Sequence, residues 1–287
     1  MKDRERAYLS ICAIYRNEAR YLEEWLEFHR LVGVERFFLY NNRSTDDHLE
    51  VLAPYVDDGT VVWRDWPMFP GQREAFDRCL ADHRDESRWI AFIDLDEFLF
   101  SPTRRLLPDV LSDFEAHPGV VVNMIYYGTS GYDTPPPGLA IESYTRRLRL
   151  DRPRNRAVKS IVDPERTVRV GHVSHYFIYA DHKKAVDESF RAMHGHATRE
   201  VSADLLRINH YLTRSQQERD VKLTRLGADT GLPVQNVETV GERDRRLNEE
   251  VDEILLPYGN AVRAAVAARA AGRPLAPGAL EAALAAG

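Results

Sequence analysis

The sequence predicts an α/β fold in which helices flank a mostly parallel central sheet, extended by a mixed or antiparallel second half. Two patterns carry this expectation. Over the first hundred residues, short β-rich apolar runs alternate with segments whose apolar residues recur at helical spacing. Beyond residue 118 the apolar runs continue without regular helices between them. A chain of 287 residues with 44% hydrophobic content can bury a real core. One α/β domain over residues 1–230, followed by a C-terminal helical appendage over 231–287, fits best.

The elements follow in order. Tyr8 to Tyr15 is nearly all apolar, as a strand buried on both faces should be. Leu22, Trp25, Leu26, His29 and Val32 then mark a helix face, and Gly33 provides its stop. Arg36 to Tyr40 reads as the second strand, leading into the polar loop Asn41 to Asp47 and a short helix carrying Leu49, Leu52 and Val56. Thr60 to Trp66 reads as the third strand, and Ala75, Phe76, Cys79, Leu80 and His83 as the next helix face. Trp89 to Ile93 is the fourth strand and runs directly into Asp94-Leu95-Asp96-Glu97. In the second half, strands are expected at Val120 to Tyr127, Tyr144 to Leu150, Val158 to Val162, Val168 to Tyr179 and Leu205 to Tyr211. Ser215-Gln216-Gln217-Glu218 has the capping-box pattern, so a helix should start there and run toward Leu226. The Ala-rich stretch from Ala261, broken by Pro274 and Pro277, reads as short helices.

Charge and composition exclude several classes. The net charge of −6 comes from acids and bases interspersed along the chain, so no basic footprint for nucleic acid stands out. No run approaches the roughly 18 apolar residues that cross a bilayer, and the charged start Met1 to Arg6 does not read as a signal peptide. The expected location is cytoplasmic, or at the inner face of a membrane if a partner holds it there. Cys12 and Cys79 lack CxxC or Cys/His ligand spacing and read as core residues. Neither a Walker loop nor GxGxxG occurs, which counts against ATPases and Rossmann dehydrogenases.

In open α/β sheets a ligand sits outside the carboxyl ends of the strands, where the polar loops fall. Asp94 and Asp96 flank one residue at such a strand end, where alternation would put both carboxylates on one face about 7 Å apart. Carboxylates so placed suit a divalent cation, Mn²⁺ or Mg²⁺, which prefers oxygen ligands together with substrate phosphates. An acidic strand exit on solvent is the plainer alternative.

Four segments in order sharpen the reading: Ile11 to Glu18, Glu24 to His29, Tyr40 to Asp47 and Trp89 to Phe98. Together they resemble the bacterial family-2-like glycosyltransferases, close to family 92, over residues 8 to about 226. The resemblance implies a GT-A fold whose residues 1–100 form a nucleotide-binding half and 101–230 an acceptor half. It implies a nucleotide-sugar donor, UDP- or GDP-linked, a carbohydrate or other hydroxyl acceptor, and inversion at the anomeric carbon. Arg16, Asn17 and Glu18 match the first-strand exit that holds the nucleotide. Asn42, Ser44 and Asp46 match the loop that contacts base and ribose, and Asp94 and Asp96 match the metal motif. Helix capping competes with ligand contact for Asn17, Glu18, Ser44 and Asp46.

Gly128-Thr129-Ser130-Gly131-Tyr132-Asp133 resembles the acceptor loop of these enzymes, with Asp133 as candidate base, Glu142 in reserve and an ordinary turn as the alternative. Lys159 matches a lysine near the donor, unless it is a surface residue. His210, chosen over His175 because it closes a strand at the ligand edge, is the candidate third metal ligand. Lys222 and Arg225, on the capped helix, would reach the diphosphate or form a solvated helix face. His194-Gly195-His196 reads as a polar loop, a lid rather than a metal site. A nucleotidyltransferase, or a binding module that kept the fold and lost the chemistry, are the remaining alternatives.

Overall fold

The computed structural model describes residues 6–273, apart from 104, 225, 226, 228, 230 and 233–245. Arg225, Leu226, Pro274 and Pro277 therefore lie outside the described residues. The strands are β1 (Ala7–Tyr15), β2 (Arg36–Asn41), β3 (Val61–Asp65), β4 (Ser87–Phe92), β5 (Glu97–Phe100), β6 (Gly119–Tyr126), β7 (Arg146–Arg147), β8 (Val158–Val162), β9 (Thr167–Val170), β10 (Phe177–Tyr179), β11 (Arg207–His210) and β12 (Glu250–Val251). The helices are α1 (Ala19–Leu31), α2 (His48–Asp57), α3 (Gln72–His83), α4 (Leu107–Leu111), α5 (Ala140–Ser143), α6 (Gln216–Leu223) and α7 (Gly259–Ala270).

The fold is α/β, built on a mixed eight-stranded sheet of order β3-β2-β1-β4-β8-β6-β11-β5 with flanking helices. The first four strands are mutually parallel. β8 runs antiparallel to both β4 and β6, β11 runs parallel to β6, and β5 closes the order antiparallel to β11. The period-two alternation of a strand sorts the core into two layers. Leu9, Ile11 and Ala13 face a cluster with Trp25, Phe28 and Leu52 of α1 and α2, while Cys12 and Ile14 face Phe76, Cys79 and Leu80 of α3. Both cysteines are free and buried in this second layer. Among the described residues, no helix is long and apolar enough to cross a membrane.

α1 stops where Gly33 takes φ +103°, against a Pro108 ring whose Cδ would lie 2.5 Å from any Cβ there, so only glycine fits. The capping box forms as expected, with Ser215 and Glu218 exchanging bonds at the start of α6. Three expectations need correction. Tyr144 to Leu150 is not one strand: α5 precedes it, and only Arg146–Arg147 pair, with β12. Arg147 is drawn there by ion pairs to Glu250 at 2.6 Å and Asp252 at 2.5 Å, so its alternating pattern serves a side ribbon and not the main sheet. Val168 to Tyr179 is a hairpin, turning where Gly171 donates to the Tyr176 carbonyl, so His172 and His175 lie in the turn. The chain after Ile93 does not stay in strand: it reverses and starts β5.

The C-terminal stretch packs against the core as far as it is described. Leu255, Tyr258, Val262 and Ala265 are buried in the same cluster as α1, and Arg269 on α7 pairs with Glu27 of α1 and Asp58 after α2.

The outer edge of β5 is buried beneath α1, and its backbone groups would be orphaned there. Side chains of α1 satisfy them: Trp25 Nε1 donates to the Glu97 carbonyl at 2.8 Å, and the Leu99 amide donates to His29 Nε2 at 3.1 Å. The other ring nitrogen of His29 donates to the Trp25 carbonyl at 2.8 Å, which fixes a neutral tautomer. Burial lowers the His29 pKa to about 3. A histidine depressed in this way stabilises the fold above its unfolded pKa and loses that contribution as pH falls from about 6.5 to about 3. The denaturant midpoint should therefore fall over that window, and less steeply in His29→Gln, which is less stable at neutral pH by about 1–3 kcal/mol.

Candidate active site

The topology brings distant segments to one edge. β1, β4, β6 and β11 all point the same way, so their carboxyl ends share an edge with the first residues of the antiparallel β8 and β5. Arg16 to Glu18, Asp94 to Glu97, Tyr126 to Asp133, Lys159 and His210 therefore converge. The crevice between the β1 and β4 exits is the topological switch point, since β1 connects outward to β2 and β4 leads toward the mixed half.

The loops after β1 and β2 are stitched to each other. Asn17, at φ 55°, accepts the Thr45 amide at 2.7 Å, and its own amide donates to Ser44 Oγ at 2.9 Å. Asp46 Oδ2 accepts the Ala19 amide at 2.8 Å, satisfying an orphan donor of the first turn of α1. Asp46 thus ties the start of α1 to the start of α2, where its Oδ1 lies 3.1 Å from His48 Nδ1, while Ser44 holds Asn17 ahead of α1. Asn42 donates to the Trp66 and Met68 carbonyls at 2.8 and 2.7 Å, fixing the loop after β3. Arg16 stands exposed at the exit.

Three carboxylates follow one another in the reversal between β4 and β5. Asp94 and Asp96 do not share a face, because the Glu97 amide bonds the Asp94 carbonyl at 3.1 Å and turns the chain. Asp94 instead faces Lys159 at 2.6 Å and Gln72 of α3 at 2.8 Å. Asp96 faces Lys222 of α6 at 2.5 Å and His210 Nε2 at 3.4 Å, both on Oδ2. Glu97, fully buried, receives the Asp94 amide at 2.9 Å and pairs with Lys159 at 3.3 Å. Burial alone would raise Asp96, but Lys222 and His210 hold it well below the usual carboxylate range. Glu97 is raised by burial to about 7, with Lys159 offsetting part of the effect. Lys159 is 1% exposed, and the carboxylates beside it outweigh its burial and keep it charged.

The donor atoms of Asp96, Glu97 and His210 lie within 4.8 Å of one another, the one such group among the described residues. Glu97 Oε1 and His210 Nδ1 are buried, 3.4 Å apart, and neither makes a hydrogen bond. Two carboxylates and an imidazole with unused donor atoms fit Mn²⁺ or Mg²⁺. Of the expected metal set, Asp96 and His210 are in that group and Asp94 is not, while Glu97, which was not expected, is. His175 lies nearby with Nδ1 on the Val158 carbonyl at 3.0 Å; burial and Lys159 lower its pKa to about 3.

A cavity of about 340 Å³ opens over this cluster, lined by Asn17, Glu18, Tyr21, Asp96, Arg214 and Lys222 among others. Arg214 was not singled out from the sequence. Its guanidinium pairs with Glu18 at 2.6 Å and stacks 3.8 Å over the Tyr21 ring, so Glu18 is an ion-pair partner and not a helix cap. Glu218 is held there by the Tyr21 and Tyr144 hydroxyls at 2.6 and 3.2 Å. Asp133 is exposed beside Pro135 of the cavity wall, and its carbonyl accepts the Gln217 amide of α6 at 3.0 Å. Glu142 pairs with Arg263 of α7 at 2.5 Å, which commits it to packing. His194 is bonded to Lys184 at 2.9 Å, and the His196 carbonyl accepts the Val158 amide at 3.3 Å, anchoring that loop to the start of β8.

The two lysines differ in what they support. Removing the buried Lys159 leaves carboxylates uncompensated, so Lys159→Met should cost about 3 kcal/mol or more. Lys222 is 36% exposed, and Lys222→Met should cost under about 1 kcal/mol; urea titration of the two variants reads the difference.

Comparison with known proteins identifies the family. The model of glycosyltransferase family 92 matches residues 6–230. A family 92 protein of Oryza sativa subsp. japonica is 31% identical over 83% of this chain and 38% of its own length. One of Ricinus communis is 31% identical over 83% of this chain and 41% of its own. The chain thus spans about two fifths of these curated relatives. They are plant proteins and give no support to the bacterial half of the sequence resemblance. Among solved structures, S. aureus TarS in complex with UDP is similar at 17% identity and a TM-score of 0.38, over 55% of this chain and 47% of that one. With most of its length matched by the family model and the motif residues gathered at one sheet edge, the chain belongs to glycosyltransferase family 92.

Proposed function

We propose that the protein transfers a sugar from a nucleoside-diphosphate sugar, UDP- or GDP-linked, to a hydroxyl acceptor, with inversion at the anomeric carbon. The observation that carries this reading is the crevice at the sheet's switch point, where Asp96 of the acidic turn and the cationic side chains of Arg214 and Lys222 line one cavity. On this reading the sheet is a GT-A donor platform. Asn17 and the loop from Asn42 to Asp46 shape the nucleotide end, held in place by the bonds between them. Arg214 and Lys222 face the cavity and offer positive charge to the diphosphate.

Asp96, Glu97 and His210 would hold a divalent cation. When bound, that cation neutralises charge developing on the leaving diphosphate. Lys159 holds Asp94 and Glu97 in place through its ion pairs, so the site enters the reaction already organised.

Asp133 is the proposed base. Its exposure at the cavity rim leaves the carboxylate available to an acceptor hydroxyl. As the acceptor oxygen bonds the anomeric carbon, the bond to the diphosphate breaks and the hydroxyl proton passes to Asp133. Inversion follows from attack on the face opposite the leaving group.

Two substitutions test the assignments in steady-state kinetics with a sugar acceptor. Asp96→Ala should abolish turnover supported by Mn²⁺ while the circular dichroism spectrum is retained. Asp133→Asn should lower kcat by about 10²–10⁴ with KM for the donor little changed. An unchanged kcat would move the base elsewhere.

A further inference from the structure

The ammonium of Lys222 occupies a position built for a cation. It sits 2.5 Å from Asp96 Oδ2 and 3.1 Å from the Leu212 carbonyl, and His210 Nε2 lies 3.4 Å from the same Asp96 oxygen. Asp96 belongs to the group of residues whose donor atoms lie within 4.8 Å of one another. A divalent cation bound through Oδ2 and an ammonium hydrogen-bonded to it cannot share the same place, and their like charges repel.

The two lysines of the cluster are mounted differently. Lys159 is in the middle of the sheet, 1% exposed, and cannot leave. Lys222 is on the last turn of α6, with 36% of its side chain exposed, and α6 has no buried residue. The described attachments of α6 gather at its first turn: Ser215 and Glu218, the Tyr21 and Tyr144 hydroxyls, and the Tyr132 and Asp133 carbonyls. At its far end the contact to Asp96 and Leu212 is made by Lys222. Among the described residues, the first turn of the helix carries several hydrogen bonds and its last turn reaches the sheet through the exchangeable contacts of Lys222.

We infer that Lys222 is the resident counter-cation of Asp96, displaced when a divalent metal binds and transferred to the donor diphosphate in the adjoining cavity. Occupancy of the metal site is thereby coupled to the position of α6, whose first turn also carries the backbone contact to Asp133. This rests on the proposed metal-dependent transfer and adds an exchange of cations at Asp96. The exchange moves no proton, since the lysine stays charged in both places. It also orders binding: the ammonium that neutralises Asp96 in the free protein becomes available to phosphate only after metal has replaced it.

The test is Mn²⁺ affinity of the donor-free protein, measured by electron paramagnetic resonance of free Mn²⁺, for wild type, Lys222→Met, Lys222→Arg and Asp96→Asn. Lys222→Met should bind Mn²⁺ about tenfold more tightly than wild type, because no ammonium competes. It should bind UDP more weakly at saturating Mn²⁺. Lys222→Arg keeps a cation and should stay near wild type for Mn²⁺. In wild type, Mn²⁺ alone should speed hydrogen exchange at the amides of residues 220–224. If Asp96→Asn loses Mn²⁺ while Lys222→Met binds it no more tightly than wild type, the exchange is wrong and the metal site stands. If neither wild type nor Lys222→Met binds Mn²⁺, the exchange and the metal reading fall together.

Discussion

Three carboxylates in a four-residue turn, Asp96 and Glu97 buried and Asp94 half-buried, set the main constraint on this molecule. Each ionised carboxylate withdrawn from water costs several kcal/mol unless a partner compensates it. Lys159 is that partner for two of them, reaching Asp94 and Glu97 from the neighbouring strand β8. An apolar residue at 159 would leave the turn charged and unpaired, or force protons onto it. The pairing of β8 with β4 is thus a condition for the acidic turn as well as a part of the sheet.

The same turn dictates the shape of the second half. β4 and β5 are separated by four residues, yet they stand at the fourth and eighth places of the sheet. The sheet must curl to bring β5 back, and α1 must then cover the edge of β5. Trp25 and His29 do so by meeting its backbone groups directly. The helix that opens beside the β1 exit therefore also supports the strand that begins with Glu97. Geometry at the crevice and stability of the core rest on one helix.

How much of this was legible in the sequence depended on how local the cause was. The first four strands and their helices each carry their own apolar period, and the capping box of α6 is contained in four residues. Lys159 was read only through the resemblance, with a surface residue as the alternative; its burial comes from β8 lying between β4 and β6, pairings that the strand's own residues do not announce. Glu97 stood in the quoted motif without a role, because its burial depends on β5 pairing with β11 more than a hundred residues later. Arg214 had no local signal, since its partner Glu18 is 196 residues away. Ser44 and Asp46 carried the right chemistry for capping, but the amides they accept, of Asn17 and Ala19, precede them, and only the parallel pairing of β1 with β2 brings these within reach. The expected geometry of Asp94 and Asp96 failed because strand alternation was extended across a turn.

On the proposed reading, the crevice between the β1 and β4 exits binds a nucleoside diphosphate together with a divalent cation held through Asp96. Isothermal titration of UDP and GDP into the protein, with Mn²⁺ or with EDTA, tests it most directly. The account predicts that one of the two nucleotides binds with Mn²⁺ present, that EDTA abolishes the heat, and that Asp96→Asn does the same. Equal binding of the nucleotide in EDTA, or no binding of either nucleotide with Mn²⁺, would contradict it.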